Sequence, residues 1–293
     1  MKNLRQKLGH LNWLNSIGVE YYCSTQKDSK NSLINAREDL TSIRGTTQMP
    51  LEVEFQKKSN ENNILPTLKQ TAPKNMEIAI PQKAVTNLNS HAAELTARQL
   101  ADKAATLIEL QEYIESFQGC ELKQFANNTV FADGNPKAKI ILIGEAPGAT
   151  EDEQGIPFCG ESGKLLDNML STIRISRKEN AYITNTIFWR PPANRRPTNE
   201  EMNICKPFVE KHIALIKPKL IILVGNTATT SLLGKNEGIT QIRQNNYYYI
   251  NQYLSEPIVT TALFHPAYLL RQPIQKKATW FDLLKIKKLY QSL

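Results

Sequence analysis

Apolar positions divide the chain into three zones. Over residues 1–22, Leu4, Leu8, Leu11, Leu14 and Ile17 recur at intervals of three or four with Trp13 beside them, a period that predicts a short amphipathic helix. Residues 23–90 run through Asn, Gln, Lys, Ser and Thr with sparse apolar side chains. Such a stretch buries too little to offset the entropy of ordering, so a polar, partly disordered linker is expected. From His91 to Phe117 the segment HAAELTARQLADKAATLIELQEYIESF places Leu95, Leu100, Leu107, Leu110 and Ile114 on a stripe. It predicts one helix opening a folded domain over 91–293.

Beyond that helix the period changes. Four apolar runs of strand length follow: KIILIGEA (139–146), AYITNTIF (181–188), LIILVG (220–225) and PIVTTAL (257–263). Between them SGKLLDNMLSTI, NEEMNICKPFVEKHIALI and NTATTSLLG carry helical spacing. Alternation of this kind predicts an α/β fold, a parallel sheet with helices on both faces, which binds ligands at the carboxyl ends of its strands. Those ends are therefore where chemistry is sought.

The first run leads into Gly144-Glu145-Ala146-Pro147-Gly148, then Glu151-Asp152 and Gly155-Ile156-Pro157-Phe158-Cys159-Gly160. A tight turn here brings backbone N–H groups against a ligand, and the carboxylates suit orienting water. Taken alone, GEAPG reads as a plain Gly-Pro turn with solvated acids. The second run ends at Asn185, whose amide offers a donor and an acceptor suited to a base edge. A stiff basic loop with Arg190, Arg195 and Arg196 follows, suited to phosphates and equally to a solvated turn. Gly225-Asn226-Thr227 after the third run caps a helix, and no chemistry is assigned to it. The fourth run delivers His265-Pro266-Ala267-Tyr268-Leu269-Leu270-Arg271. A lone histidine is more often structural, but one fixed at a strand end by proline is well placed to act. Lys276, Lys277, Lys285, Lys287 and Lys288 then make a basic tail or a solvated helix face.

Composition changes this picture little. A chain of 293 residues, 41% hydrophobic, can build a sizeable core. A formal charge of +8 tilts the partner toward a polyanion. No run approaches the ~20 apolar residues of a membrane span, and MKNLRQKLGHLNW lacks the apolar stretch of a signal peptide, so a cytoplasmic protein without membrane contact is expected. Cys23, Cys120, Cys159 and Cys205 contain no C-x-x-C pair and read as reduced, mostly buried thiols.

In this order, GEAPGATEDEQGIPFCGESGKLLD, YITNTIFWRPPANRRPTNEEMNIC, LIILVGNTA and FHPAYLLRQP resemble the family 4 uracil-DNA glycosylases over roughly residues 120–284. The resemblance implies a three-layer αβα sandwich around a four-stranded parallel sheet, and a monofunctional hydrolase of base-excision repair. Such an enzyme flips deoxyuridine from DNA and leaves an abasic site. Phe158 would stack on the extruded uracil. Asn185 would bond its polar edge and reject cytosine. Gly144, Glu145 and Ala146 would hold the base from the backbone side, and His265 would donate toward O2 as charge collects on the leaving base. Glu151 is the first choice for positioning water, with Glu145 the competitor. Pro266, Ala267, Tyr268 and Leu269 would lie in a loop wedged into the duplex, with Arg190, Arg195, Arg196 and Arg271 on the DNA; the alternative is that Leu269 and Leu270 start a buried helix. No lysine stands in the motifs to form a Schiff base.

The resemblance also implies a [4Fe–4S] cluster on four cysteines, at positions that here carry Phe117, Cys120, Trp189 and Cys205. Two thiols of the four remain, so no cofactor is expected. The stretch FWRPPANRRPT lacks the histidine of relatives that trap the abasic sugar. Uracil-containing DNA is the expected partner of a monomeric enzyme, nucleoid-associated while it acts, and residues 1–90 suit a tether to a replication or repair protein. Two rival readings remain: a non-catalytic nucleic-acid-binding protein on the same fold, and an electron-carrying iron–sulfur protein.

Overall fold

A computed structural model describes residues 82–293, with side-chain surroundings from residue 90 onward. The helix expected over 1–22 and most of the linker over 23–90 lie outside the described residues. The described chain begins in helix α1 (Gln82–Lys103), whose onset falls inside the segment read as linker. No glycine or proline interrupts those 22 residues.

The single helix expected over 91–117 is two. After α1 the chain breaks and restarts as α2 (Leu107–Ser116). Thr106 makes the break: its hydroxyl accepts from the Glu109 N–H at 3.2 Å, and the Glu109 carboxylate accepts from the Thr106 N–H at 3.1 Å. This reciprocal capping box satisfies donors that a continuing helix would have used internally.

The remaining elements alternate. They are β1 (Asp133–Gly134), β2 (Ile140–Gly144), α3 (Ala149–Gln154), α4 (Glu161–Ser171), β3 (Ala181–Asn185), α5 (Asn199–Ile216), β4 (Leu220–Val224), α6 (Asn226–Leu233), α7 (Ile239–Ile242), β5 (Tyr247–Tyr249), β6 (Ile258–Leu263), α8 (Pro266–Arg271) and α9 (Lys276–Gln291). The sheet order is β1-β3-β2-β4-β6-β5. Its four inner strands are parallel, as expected, but the sheet has six strands, because β1 and β5 add antiparallel edges. Neither edge carries the buried apolar run that marks a central strand: one is Asp-Gly and the other three tyrosines, of which Tyr248 is exposed.

Strand alternation separates two apolar layers. Ile141, Ile143, Tyr182, Ile221 and Leu223 face one layer with α1, α2 and α5, while Ile140, Leu142, Ile183, Leu220 and Ile222 face the other with α4 and α9. Both faces are dry, which is why the inner strands read as unbroken apolar runs rather than alternating ones. Gly144 is paired in register with Asn185, and Val224 with Leu263. The four parallel strands thus end along one edge, and the turns that leave them share a site. Among the described residues no helix is long and apolar enough to cross a membrane.

Candidate functional site

At that edge lies a cavity of about 930 Å³. Its walls bring together Glu145, Ala146, Glu151, Phe158, Asn185, His265 and Tyr268, with Arg195, Arg196 and Arg271 on its rim.

Gly144 forms the closest point of approach. A Cβ there would sit 2.5 Å from both Asn185 Oδ1 and Phe158 Cζ, so the aromatic and the amide press against the same bare Cα. Asn185 is 1% exposed, and its Oδ1 has no hydrogen-bond partner among the described residues. Leaving a buried acceptor unpaired costs about 1–3 kcal/mol, a cost recovered if a ligand supplies the donor. Phe158 stands with φ 51, left-handed for a bulky residue, and its ring lies 5.6 Å from that of His265 at an interplanar angle of 32°.

His265 caps α8, its Nδ1 accepting from the Ala267 N–H at 3.2 Å. That bond leaves the ring proton on Nε2. Burial, helped by the nearby positive charge of Arg271, pushes the pKa of His265 down to about 4, so the imidazole is a neutral donor at pH 7. Gly225, at φ +95, passes close behind it: a Cβ there would come within 3.1 Å of His265 Cβ.

The two acids differ in what they hold. Glu151 accepts from the backbone N–H groups of Gly148 (3.1 Å), Cys159 (3.1 Å) and Gly160 (2.9 Å), which engages both of its oxygens in shaping the turn. Among the described residues Glu145 accepts through one carboxylate oxygen only, from the Thr227 hydroxyl. Thr227 and its neighbour Asn226 open α6, in the Gly225-Asn226-Thr227 stretch read from sequence only as a helix cap. Asn226 lines the cavity and also has an unpaired buried Oδ1. The signal was available, since both residues lie within three positions of the end of β4, but Gly-Asn-Thr is too ordinary a helix start to stand out.

Around the rim the arginines are unequal. The Arg195 guanidinium forks onto Glu201 at 2.9 and 2.5 Å. Arg196 and Arg271 are exposed and make no ion pair among the described residues. Arg190 does not reach the cavity; its Nε donates to Asn194 Oδ1 at 2.7 Å and organises the loop, where Ala193 and Asn194 both take left-handed φ. Leu269 is a correction. It is fully buried in the layer beneath α8, where it cannot meet DNA, and the helix turns Leu270, 46% exposed, to the outside instead.

The cluster positions lie in the opposite apolar layer. Phe117, Cys120, Trp189 and Cys205 are all buried there. Phe117 packs edge-on against Phe208 at 5.2 Å, and Phe188 lies 6.0 Å from Trp189, whose indole N–H donates to Thr129 Oγ1 at 3.0 Å. The neighbouring Cys120, together with burial, holds the Cys205 thiol well above the ordinary thiol range. Two thiols and two aromatic rings do not make the four-thiolate set that such a cluster requires. Among the described residues no group of three or more His, Cys, Asp or Glu is arranged to hold a metal.

A doubly covered parallel sheet whose strand ends present an aromatic face, a buried carboxamide and a neutral imidazole to one cavity, beneath a basic rim, defines a protein that grips a flat polar ring carried on a polyanion. The family model described as the uracil DNA glycosylase superfamily matches residues 131–285, and the chain belongs to that superfamily. A type-4 uracil-DNA glycosylase of Sulfurisphaera tokodaii is 37% identical over 188 residues, covering 63% of this chain and 84% of that protein. One from Archaeoglobus fulgidus is 36% identical, covering 63% and 93%, and one from Thermotoga maritima is 37% identical, covering 55% and 82%.

Proposed function

We propose that this chain is a monofunctional uracil-DNA glycosylase: it binds deoxyuridine extruded from DNA, hydrolyses the bond between N1 and C1′, and leaves an abasic site in an uncut strand. The relatives are named for this activity. The observation that carries the reading is the unpaired Oδ1 of Asn185, held beside the Phe158 ring at the bottom of the cavity.

The chemistry follows from the geometry. Stacking on Phe158 and bonding to Asn185 offset the cost of extrusion, about a few kcal/mol. The Asn185 acceptor suits the N3–H of uracil, and its amide donor suits O4; the amine of cytosine at that position would meet a donor. As the glycosidic bond breaks, its electron pair moves onto the base. The Nε2–H of His265, neutral at working pH, donates to O2 and stabilises the anion. Water adds to C1′ and gives up its proton to a carboxylate. Hydrogen bonding favours Glu145 over Glu151 for this role, since both oxygens of Glu151 are engaged by backbone donors and Glu145 keeps one oxygen free of bonds among the described residues. Among the described residues no lysine lines the cavity, in keeping with hydrolysis rather than a Schiff base.

The donor set at positions 117, 120, 189 and 205 supports an enzyme that needs no iron–sulfur cluster. Iron analysis of purified protein checks this: about four irons per chain would overturn it. The activity itself is tested with a single-uracil oligonucleotide followed by alkali. The expected result is strand scission only after alkali; no product at stoichiometric enzyme would leave the non-catalytic binder as the better description.

A further inference from the structure

We infer that Arg177 is a positioning residue for the reaction, acting through Phe158. The inference rests on the reading of Phe158 as the surface on which the base stacks. Three features of the loop 157–160 lead to it.

First, Phe158 holds a left-handed backbone that a bulky residue adopts only under compulsion. Second, the compulsion is visible. The Arg177 guanidinium donates from Nη1 to the Pro157 carbonyl at 2.9 Å and from Nη2 to the Phe158 carbonyl at 2.8 Å. It is itself aimed by Asp167, at 3.0 Å from Nε, and by Asp133, at 2.9 Å from Nη1. A planar fork anchored on two carboxylates can hold two successive carbonyls at once, which a lysine ammonium cannot do with the same geometry. Third, the Phe158 carbonyl is pressed against α4 so closely that a Cβ on Gly163 would lie 1.7 Å from its oxygen. Glu151 meanwhile holds the next two N–H groups from the other side. With its carbonyl and the following amides fixed, the one freedom left to Phe158 is its side chain, and the ring falls over Gly144 beside Asn185.

Arg177 does not itself line the cavity and reaches its wall at Phe158, so its contribution to the reaction passes through the aromatic. Asp133 gives the short edge strand β1 a purpose: it delivers a carboxylate to this guanidinium.

The test is a double-mutant cycle on the full chain, read by single-turnover excision from a uracil oligonucleotide and by inhibition with free uracil. Arg177→Lys is expected to slow excision about 10- to 100-fold and to weaken uracil inhibition in parallel, the scale expected when a positioned group is displaced by about an ångström. Affinity for uracil-free duplex should be unchanged, because the rim is untouched. In the Phe158→Ala background Arg177→Lys should add almost nothing, since the aromatic it serves is gone. Additive losses, or wild-type excision by a folded Arg177→Lys protein, would overturn the inference. Should Arg177→Lys fail to fold, Asp133→Asn carries the same cycle with a smaller effect in the same direction. Wild-type excision by Phe158→Ala would sink the stacking assignment and this inference together. Absence of excision by the wild-type protein would instead sink the proposed activity and everything resting on it.

Discussion

The packed layer on one face of the sheet and the strand ends along its edge treat their polar groups differently. In the layer holding Phe117, Phe188, Trp189 and Phe208, rings interlock and the indole N–H is paired with Thr129. At the strand ends, Asn185 and Asn226 each bury a carbonyl oxygen with no partner, and Phe158 sits in a strained backbone. The packed layer leaves one such atom of its own, the buried Nδ1 of His212, without a partner among the described residues, whereas Asn185 and Asn226 both line the cavity. The difference separates packing from chemistry: aromatic rings and two thiols fill the layer at positions 117, 120, 189 and 205, while the cavity keeps acceptors that are unfilled among the described residues.

The largest expected effect tests the packed side. Trp189→Ala should lower unfolding free energy by about 3–5 kcal/mol, because it removes a fully buried indole and strands the Thr129 hydroxyl. Excision per folded molecule, measured well below the new melting temperature, should stay near wild type. A loss of activity without loss of stability would mean that this layer reaches the reaction.

Asn185→Ala is the mirror image. Excision should fall about 100-fold, the scale of losing an oriented polar contact in a dry site. Denaturation should move by less than about 1 kcal/mol, since the deleted oxygen had no partner to lose. A large drop in stability would show that the amide was structurally satisfied after all and would remove the main support for base recognition.

The histidines give the comparison a pH axis. His212 lies in the packed layer, stacked on Phe131 at 4.5 Å and bonded to the Tyr182 hydroxyl at 2.8 Å, and burial pushes its pKa down to about 3. Its unfolded value is about 6.5, so between those values the unfolded chain binds the extra proton. The stability that neutral His212 contributes is thus present above about pH 6.5 and lost as pH falls toward 3. His265 acts in the same sense down to about 4, while Asp282, pushed up to about 6 by burial, opposes both. Replacing His212 by Phe should shrink the stability difference between pH 7 and 4.5 by about 2–3 kcal/mol and leave excision at pH 7 unaltered. An unchanged difference, measured by urea unfolding at the two pH values, would place the acid sensitivity elsewhere.

How much of this the sequence made legible depends on the kind of signal. The four inner strands stood out because strands dry on both faces are unbroken apolar runs, and the three helices between them kept their period. Edge strands β1 and β5 escaped because Asp-Gly and Tyr-Tyr-Tyr show no buried pattern. The break at Thr106 was written as T-x-x-E but was masked by the apolar stripe running through it. At the site, residues fixed by following a strand directly (Asn185, His265) reached the expected place in space. Partners chosen by folding were invisible, among them Thr227 on Glu145, Arg177 on the Phe158 carbonyl, and the backbone donors that occupy Glu151. Leu269 was misassigned for a related reason: α8 spans only six residues, too few for periodicity to say which of two adjacent leucines faces inward.

The smallest effect sharpens the rim. By sequence, Arg195 and Arg196 are interchangeable contributors to phosphate binding, but in the fold one is neutralised and the other is free. Arg195 is held by Glu201 in a two-point contact, and Arg196 makes no ion pair among the described residues. Arg196→Ala should therefore reduce the slope of log affinity against log salt by about one, the value for one lost phosphate contact, in binding to uracil-free duplex. Arg195→Ala should change that slope by less than half as much, and should instead loosen the start of α5, where Glu201 also accepts from the Thr198 N–H at 2.7 Å. Equal slopes for the two variants would mean that DNA pulls Arg195 away from its carboxylate on binding. The packed and the open regions would then meet at this loop rather than being separated by it.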